Sequence, residues 1–444
     1  MNTPIADFVR RYAASDTSRL HMPGHKGRAF LGCEALDITE IAGADALYEA
    51  EGILAQSEAN ATALFGSART LYSTEGSSQC IRAMLYLCLS CRAPGTKPVV
   101  VAARNVHKAF VFAAALLDFE IVWLYPEQMT SLCACNVSPD ALENALAALD
   151  SPPVCVYLTS PDYLGGQADL AALSAVCHRY GTLLAVDNAH GAYLRFLPVS
   201  QHPLDLGADI CCNSAHKTLP VLTGGAYLHI SKNVPDALVR QAKQAMALFG
   251  STSPSYLTLM SLDLCNAYLA EQLPALLAST LVQIDMLRSR ICQNGYLTLP
   301  SDPLKLTIDA AAAGTTGVDL ANLLRSHGVE CEFADPESLV LMITPQNTQR
   351  DLDRVIDALG TCRAAPRPQP VLPLAAGRRV CSVREAIFSP HETIPVQHAL
   401  GRVCGAPTVS CPPAIPIVVS GEAITQEALT LFAHYGVEQV DVLL

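Results

Sequence analysis

Lys217 lies in Ser214-Ala-His-Lys217, directly after the apolar run 208–212, an unusual address for a lysine that only meets solvent. Alone, it would read as a loop lysine. Thirty residues upstream the apolar run 182–186 ends in Asp187-Asn-Ala-His190-Gly191. An acid at the carboxyl end of a parallel strand points into the crevice where open α/β sheets bind ligands; the following AHGAY would also suit Asp187 as a helix N-cap. Further upstream, the run 69–73 leads into Thr74-Glu-Gly76-Ser77-Ser78 and then a helix-like stretch. Backbone amides and hydroxyls at a helix start suit a phosphate. Many strand–helix turns look like this one, so the order of the three features carries the weight: phosphate turn, acid, lysine, each just after a strand. Pyridoxal-phosphate (PLP) chemistry requires those three things. The lysine holds the cofactor as a Schiff base and is helped by a burial-lowered pKa. The carboxylate pairs with the pyridine nitrogen and so makes the ring an electron sink. His107, in Arg104-Asn-Val-His107-Lys108, offers a flat ring to stack on the pyridine, though by itself it is an ordinary loop histidine.

The elements that must position these residues alternate. The pattern predicts strands at 69–73, 98–102, 120–124, 154–159, 182–187 and 208–212, with helices at 77–91, 107–117, 139–148 and 168–180 between them. Strands alternating with helices of this length predict βαβ units and a mainly parallel sheet. Residues 1–50 read as an arm with a short amphipathic helix, and 53–68 as a further helix. Helical pattern dominates 234–293. After Gly295 a smaller α/β unit follows, with strands at 304–308 and 338–343 and helices at 317–327 and 349–360. The Pro/Arg-rich stretch 364–373 reads as a linker to a final segment. The expected organisation is an arm (1–50), a large domain (51–294), a small subdomain (295–363) and a C-terminal domain (374–444).

The length of 444 residues implies two or three cooperating units. A balance of 29 Lys+Arg against 41 Asp+Glu, with no basic tract, argues against nucleic acid as a partner. No apolar run reaches membrane-spanning length. The amino-terminal stretch carries charges and no apolar h-region, which makes cytoplasm the expectation. The 17 cysteines fall mostly inside apolar segments, as packing residues in a reducing compartment do. Cys88–Cys91 and Cys133–Cys135 have no second pair at zinc-site spacing, so no metal is expected.

Eight segments together resemble the Orn/Lys/Arg decarboxylase family: HMPGHKGR (21–28), LDITEIAGADALYEAEG (36–52), FGSARTLYSTEGSS (65–78), RNVHKA (104–109), SPDYLGG (160–166), VDNAHGA (186–192), SAHKTLPVLTGGAYLHI (214–230) and TSPSYLTLMSLD (252–263). SVREAIFSPHETIPVQHALGRV (382–403) and PPAIPIVVSGEAI (412–424) resemble its C-terminal domain. The resemblance implies an aspartate-aminotransferase-like PLP fold (fold type I), with an N-terminal arm and a smaller α+β C-terminal domain. It implies Lys217 as the Schiff-base lysine, Asp187 as partner of the pyridinium, and His107 stacked on the ring. Gly76, Ser77, Ser78, Ser214 and His216 would surround the phosphate, and His190 would lie near the reacting face. Thr252–Tyr256 would lie near the neighbouring subunit's cofactor, which implies a homodimer or higher homo-oligomer. The implied substrate is a small amino acid, arginine, lysine or ornithine, decarboxylated to its amine, with polyamine synthesis the natural pathway. A distal carboxylate would select the basic side chain, and Asp45 and Glu392 are the candidates.

The chain departs from the family pattern at Glu75, where Asn is usual and the acid is expected to face away from a phosphate. It departs also at Asn188, at Ala414 and in the single acid of Gly43-Ala-Asp45-Ala-Leu47. No receiver-like wing domain precedes the arm. These departures bear on the substrate and leave the cofactor residues intact. The competing enzyme class is an aminotransferase or carbon–sulfur lyase on the same fold, which would need an arginine for the α-carboxylate, from Arg28, Arg195 or Arg384. A degenerate, non-enzymatic PLP-fold protein is the third reading, opposed by the intact lysine, acid and turn.

Overall fold

The computed structural model describes residues 1–91, 95, 97–362, 365–368, 372–407 and 413–444. Part of the expected linker (364 and 369–371) and the first residue of the second C-terminal motif (412) lie outside the described residues. The elements in chain order are α1 (Pro4–Ala13), α2 (Ile53–Phe65), β1 (Arg69–Ser73), α3 (Ser77–Ser90), β2 (Val99–Ala103), α4 (Lys108–Leu117), β3 (Glu120–Leu124), α5 (Pro139–Ala147) and β4 (Cys155–Thr159). Then come α6 (Leu170–Arg179), β5 (Leu183–Asp187), β6 (Ile210–Asn213), a single helical turn α7 (Ala215–Thr218), β7 (Ala226–Ile230), α8 (Asp236–Leu248), α9 (Tyr256–Glu271) and α10 (Leu273–Gln293). The remainder is β8 (Leu297–Leu299), β9 (Lys305–Asp309), α11 (Gly317–Ser326), β10 (Phe333–Ala334), β11 (Ser338–Met342), α12 (Gln349–Leu359), α13 (Val383–Phe388), β12 (His391–Pro395), α14 (Gln426–His434) and β13 (Gln439–Leu443).

The main sheet has the order β1-β7-β6-β5-β4-β2-β3. Pairs β2–β3 and β5–β6 are parallel, whereas β7 runs antiparallel to both β1 and β6. The alternation in the sequence does not announce β7. Its run AYLHI follows a Gly-Gly turn rather than a helix, and all five residues are buried. A hairpin-like return needs no crossover helix, so it breaks the strand–helix rhythm.

The chain forms two compact units: residues 1–94, 154–156 and 170–278, and residues 95–153, 157–169 and 279–444. In the first, α1 buries Ile5, Ala6 and Val9, and its free amino-terminal amides find a buried partner. The Asp263 carboxylate on α9 accepts from Ile5 N and Ala6 N, each at 2.9 Å, and from Ser57 Oγ at 2.6 Å. A helix start left without such acceptors would be costly. α2 ends where Gly66 turns left-handed at φ 67°, three residues before the sequence pattern fades.

The second unit carries a four-stranded antiparallel sheet, β10-β11-β9-β8, with α11 and α12, and a two-stranded ribbon, β12-β13. Capping boxes start α12 (Thr348 with Asp351) and α13 (Ser382 with Glu385). The C-terminal segment is held by burial of Ile415, Ile417, Val418, Leu431, Phe432 and Val442 in one cluster with Leu132 and Phe333. Arg104 adds a polar staple: its guanidinium donates to Pro416 O at 2.9 Å and Ile417 O at 2.8 Å, and lies 5.2 Å from the Trp123 ring centre.

Inside the first unit, β1, β6 and β7 share a dry polar network. Asn213 Nδ2 donates to Nε2 of both His202 (3.1 Å) and His229 (2.9 Å), and His229 Nδ1 meets Thr70 Oγ1 at 2.8 Å. Burial lowers His202 to about 4 and holds His229 well below its ordinary value. A depressed histidine pKa means that the unfolded chain binds the extra proton first, so its stabilising effect is complete above pH ~6.5 and is lost on acidification. Asp162 and Asp335, both raised to about 6 mainly by burial, act with the opposite sign, so the total slope conceals the effect. The comparison with His202→Gln isolates it. Between pH ~6.5 and ~4 the wild type is expected to lose about 3 kcal/mol relative to this variant, read by urea denaturation; a constant difference would contradict the buried, neutral ring.

Candidate active site

β5 and β6 lie side by side, with Asp187 opposite Cys212. The pairing continues past the strand ends: Asn188 N donates to Cys212 O at 2.9 Å and Ser214 N to Ala189 O at 3.3 Å. The side chains repeat the tie, Asn188 Nδ2 donating to Asn213 Oδ1 at 2.7 Å. The acid on one strand and the lysine after the other are therefore set by the same few bonds.

Asp187 is buried (3% exposed) at the carboxyl end of β5. Its Oδ1 accepts from Ala189 N at 3.1 Å and from the Cys212 thiol at 3.6 Å. The turn after it requires Gly191, because a Cβ there would lie 2.0 Å from Asn188 Oδ1. No helix follows, so Asp187 caps its own turn. Lys217 sits on the single turn α7, and its Nζ meets His190 Nε2 at 2.9 Å. His216 Nδ1 is held to Gly225 O at 2.9 Å.

The expected phosphate turn starts α3. Gly76 occupies the N-cap position at φ 73°, with no side chain capping the helix, and a Cβ on it would meet no atom within 4 Å. The first-turn amides of Ser77 and Ser78 thus face open space at the positive end of a 14-residue helix. Ser214 Oγ donates to Ser77 Oγ at 2.9 Å, which joins this turn to the lysine loop. Gly224 completes the cradle at φ 95°, its N-terminal neighbourhood so tight that a Cβ would lie 2.6 Å from Thr74 O. Glu75 is exposed and turned away, its carboxylate accepting from Ser251 N. These residues fit PLP: an uncapped helix start and hydroxyls for a phosphate, a buried acid for a pyridinium, and a lysine beside a histidine.

His107 belongs to the second unit. It caps α4, its Nδ1 accepting from Ala109 N at 3.1 Å. Ser255 caps α9, and Tyr256 is buried with its hydroxyl donating to Asp45 O at 2.6 Å; Thr252 and Ser253 are exposed.

The two candidate selectors have other tasks. Asp45, at φ 70°, accepts from four amides: Ala46 (3.0 Å), Glu51 (3.1 Å), Gly52 (2.8 Å) and Leu54 (3.1 Å). A carboxylate offers about four lone-pair sites, so this one is filled. Burial would raise its pKa, but the four amides outweigh that and hold it below the ordinary value. Glu392, on β12, pairs with Arg402 at 2.7 Å in a half-exposed position. Two of the arginines considered for an α-carboxylate are also engaged. Arg195 pairs with Asp205, and Arg384 donates to Ala115 O at 2.8 Å.

Sequence reading missed the supports of Asp187. Cys212 and Asn213 sit inside an apolar run and carry no pattern that sets them apart from packing residues. Burial pushes the Cys80 thiol up to about 12, and burial followed by the Asp187 charge holds the Cys212 thiol far above its ordinary value, so both stay protonated.

A mainly parallel sheet with an acid and a lysine at adjacent strand ends defines a fold-type I α/β architecture. Among solved structures, a lysine decarboxylase of Francisella novicida superposes with a TM-score of 0.82 at 16% identity, over 99% of this chain and 81% of that one. The constitutive lysine decarboxylase of E. coli gives 0.79 at 16% identity, over 100% and 82%. Residues 3–300 match the family model for the Orn/Lys/Arg decarboxylase major domain. Arginine decarboxylase of Bacillus subtilis (strain 168) is 30% identical over 470 residues, 96% of this chain and 92% of that protein. The chain belongs to the Orn/Lys/Arg decarboxylase family.

The two acids give a direct test. Asp45→Asn is expected to cost about 2 kcal/mol in urea denaturation at neutral pH, without a selective rise in KM for a basic substrate. Glu392→Gln is expected to change stability by less than about 1 kcal/mol and kinetics not at all. A raised KM for one basic substrate in either variant would restore that residue as the selector.

Proposed function

We propose that the protein is a PLP-dependent decarboxylase of arginine, lysine or ornithine, acting in the cytoplasm as a homodimer or larger homo-oligomer. The observation that carries this reading is the contact of Lys217 Nζ with His190 Nε2 at 2.9 Å, beside a buried acid that closes β5. Family membership and the arginine decarboxylase relative support the reaction and the substrate class. Cysteines placed as packing residues suit a reducing compartment.

Bound PLP would supply an electron sink for the bond pair released when the substrate's carboxylate leaves. The chain's own residues would do the rest. Lys217 is the point of attachment, and the neighbouring His190 allows a proton to be held or passed between Nε2 and Nζ. The Asp187 carboxylate would hold a proton on the pyridine nitrogen, and its burial strengthens that ion pair. Gly76, Ser77, Ser78, Ser214 and His216 would hold the phosphate, and His107 is the ring-stacking candidate carried over from the family. Decarboxylation gains from a site that excludes water around the departing carboxylate.

The arm supports self-association. Leu20 (94% exposed), Phe30 (90%) and Leu31 (82%) stand in solvent on the same segment as Met22, more apolar surface than a solitary arm tends to show. A second copy is the occupant proposed for it.

PLP-loaded protein incubated separately with arginine, lysine and ornithine is expected to release equal amounts of carbon dioxide and amine from one of them. Lys217→Ala should release none, and borohydride reduction followed by peptide mass analysis should find the cofactor on Lys217. A keto acid without carbon dioxide would move the reaction to the aminotransferase class. In the same preparation, Phe30→Ser with Leu31→Ser is expected to shift the sedimenting species toward monomer; an unchanged oligomer would remove the arm from the interface.

A further inference from the structure

The second unit contains a cavity of about 410 Å³, a size that holds a small organic ligand. Leu132, Phe333, Ile415, Ile417 and Val437 supply apolar wall, and Asp335 and His434 form its polar end. The polar end is unbalanced. Asp335 is 5% exposed, and its Oδ1 accepts from Glu337 N at 2.9 Å and Ser338 N at 2.7 Å. Its Oδ2 is buried and has no hydrogen-bond partner among the described residues. The nearby acid, Glu337, is already matched: its Oε2 meets His434 Nε2 at 3.0 Å. Among the described residues that line the cavity none is Lys or Arg, so no fixed cation in the wall answers Asp335.

A buried carboxylate with half its acceptors empty is expensive, and a protein relieves that cost with a proton or a cation. Burial, with Glu337 nearby, pushes Asp335 up to about 6, the state of an acid waiting for a partner. Residues 333 and 335 share one side of an extended segment, so Phe333 and Asp335 present an apolar wall and an acceptor together.

We propose that this cavity binds a small organic monocation, an N–H-bearing ammonium head on an apolar body, with Asp335 Oδ2 as the acceptor for the head and the Phe333–Ile417 wall for the body. The site is separate from the Lys217 loop and does not depend on the decarboxylase reading. The occupant has one charge, because the cavity offers one unanswered acid and its remaining wall is apolar. A dication would have to leave its second charge against that wall.

The test uses PLP-loaded protein and N,N-dimethylhexylamine, which is a cation with one N–H at neutral pH and, as a tertiary amine, cannot condense with the cofactor's carbonyl. Calorimetry is expected to show saturable binding, with 1-hexanol binding at least about tenfold more weakly for lack of the charge. Asp335→Asn keeps one oxygen for the two backbone amides and is expected to weaken the amine by about tenfold or more while leaving hexanol unchanged. Val318→Trp, at a half-exposed position on the cavity wall, is expected to abolish both. Three results would each overturn the proposal: no saturable binding at millimolar probe, equal affinity for amine and alcohol, or wild-type affinity in either folded variant. If Asp335→Asn does not fold, Val318→Trp and the amine–alcohol comparison decide the matter.

Discussion

The hydrogen bond from Asn188 to Asn213 joins the carboxyl ends of β5 and β6, and the geometry of the site follows from it. Asp187 precedes one partner, and Lys217 follows the other by one short turn. Because the two strands are parallel, both ends open on the same edge of the sheet, where helix starts and loops converge. Chemistry that depends on a proton shared between a lysine and a histidine tolerates little displacement, since about 1 Å of misplacement can cost a hundredfold in rate. Two backbone bonds and one side-chain bond fix the spacing here, and none of them reaches the reacting groups. Asn213 extends the constraint inward through His202 and His229 to Thr70, so the strand that begins the fold and the one that carries the lysine loop share one dry network.

The acid itself is held lightly. One oxygen of Asp187 takes a backbone amide and a thiol, and the thiol is the weaker donor of the two. A carboxylate that accepts several strong hydrogen bonds becomes a poor base, whereas one that is buried and weakly solvated keeps its affinity for a proton or a cation. Cys212 supplies contact and volume without stabilising the anion much. A serine there would donate more strongly and lower the basicity of the acid. Asp45 shows the opposite design: four amides fill its acceptors and leave a stable, inert anion whose work is to shape the loop between the arm and α2.

The strands and helices around the site were legible because burial and periodicity agree. β1 and β3 fall where the apolar runs place them, and α11 and α12 start at Thr caps that the sequence displays. Lys217, Asp187 and Ser77 were legible through order: three strand ends, three residue types suited to one cofactor. β7 was not, since an antiparallel return leaves no helix to mark it. The ribbon β12–β13 was not either, its five residue pairs joining positions 391 and 443 across a distance in sequence that no local pattern spans. Glu75 facing away from its turn was legible from charge alone, because a carboxylate beside a phosphate site has a strong reason to leave it. The task of Asp45 was hidden: its amide partners lie one to nine residues ahead, and only the positive φ at 45 brings them onto one carboxylate.

The acidic balance of the chain, which first invites the idea of an attraction for cationic substrates, is largely structural in origin. Asp263 closes the start of α1, and Glu58 accepts from Tyr72 N and pairs with Lys243. Asp302 pairs with the wholly buried Lys305, and Glu422 accepts from Val419 N beside Arg104. Each of these acids spends its acceptors within the fold, where a net charge count cannot tell them from groups that meet a ligand. Selection of a basic side chain therefore requires a carboxylate with acceptor capacity left over, and capacity is a property of geometry rather than of composition. By that criterion Asp45 is a loop clamp, and the field of twelve excess negative charges contributes to encounter more than to choice.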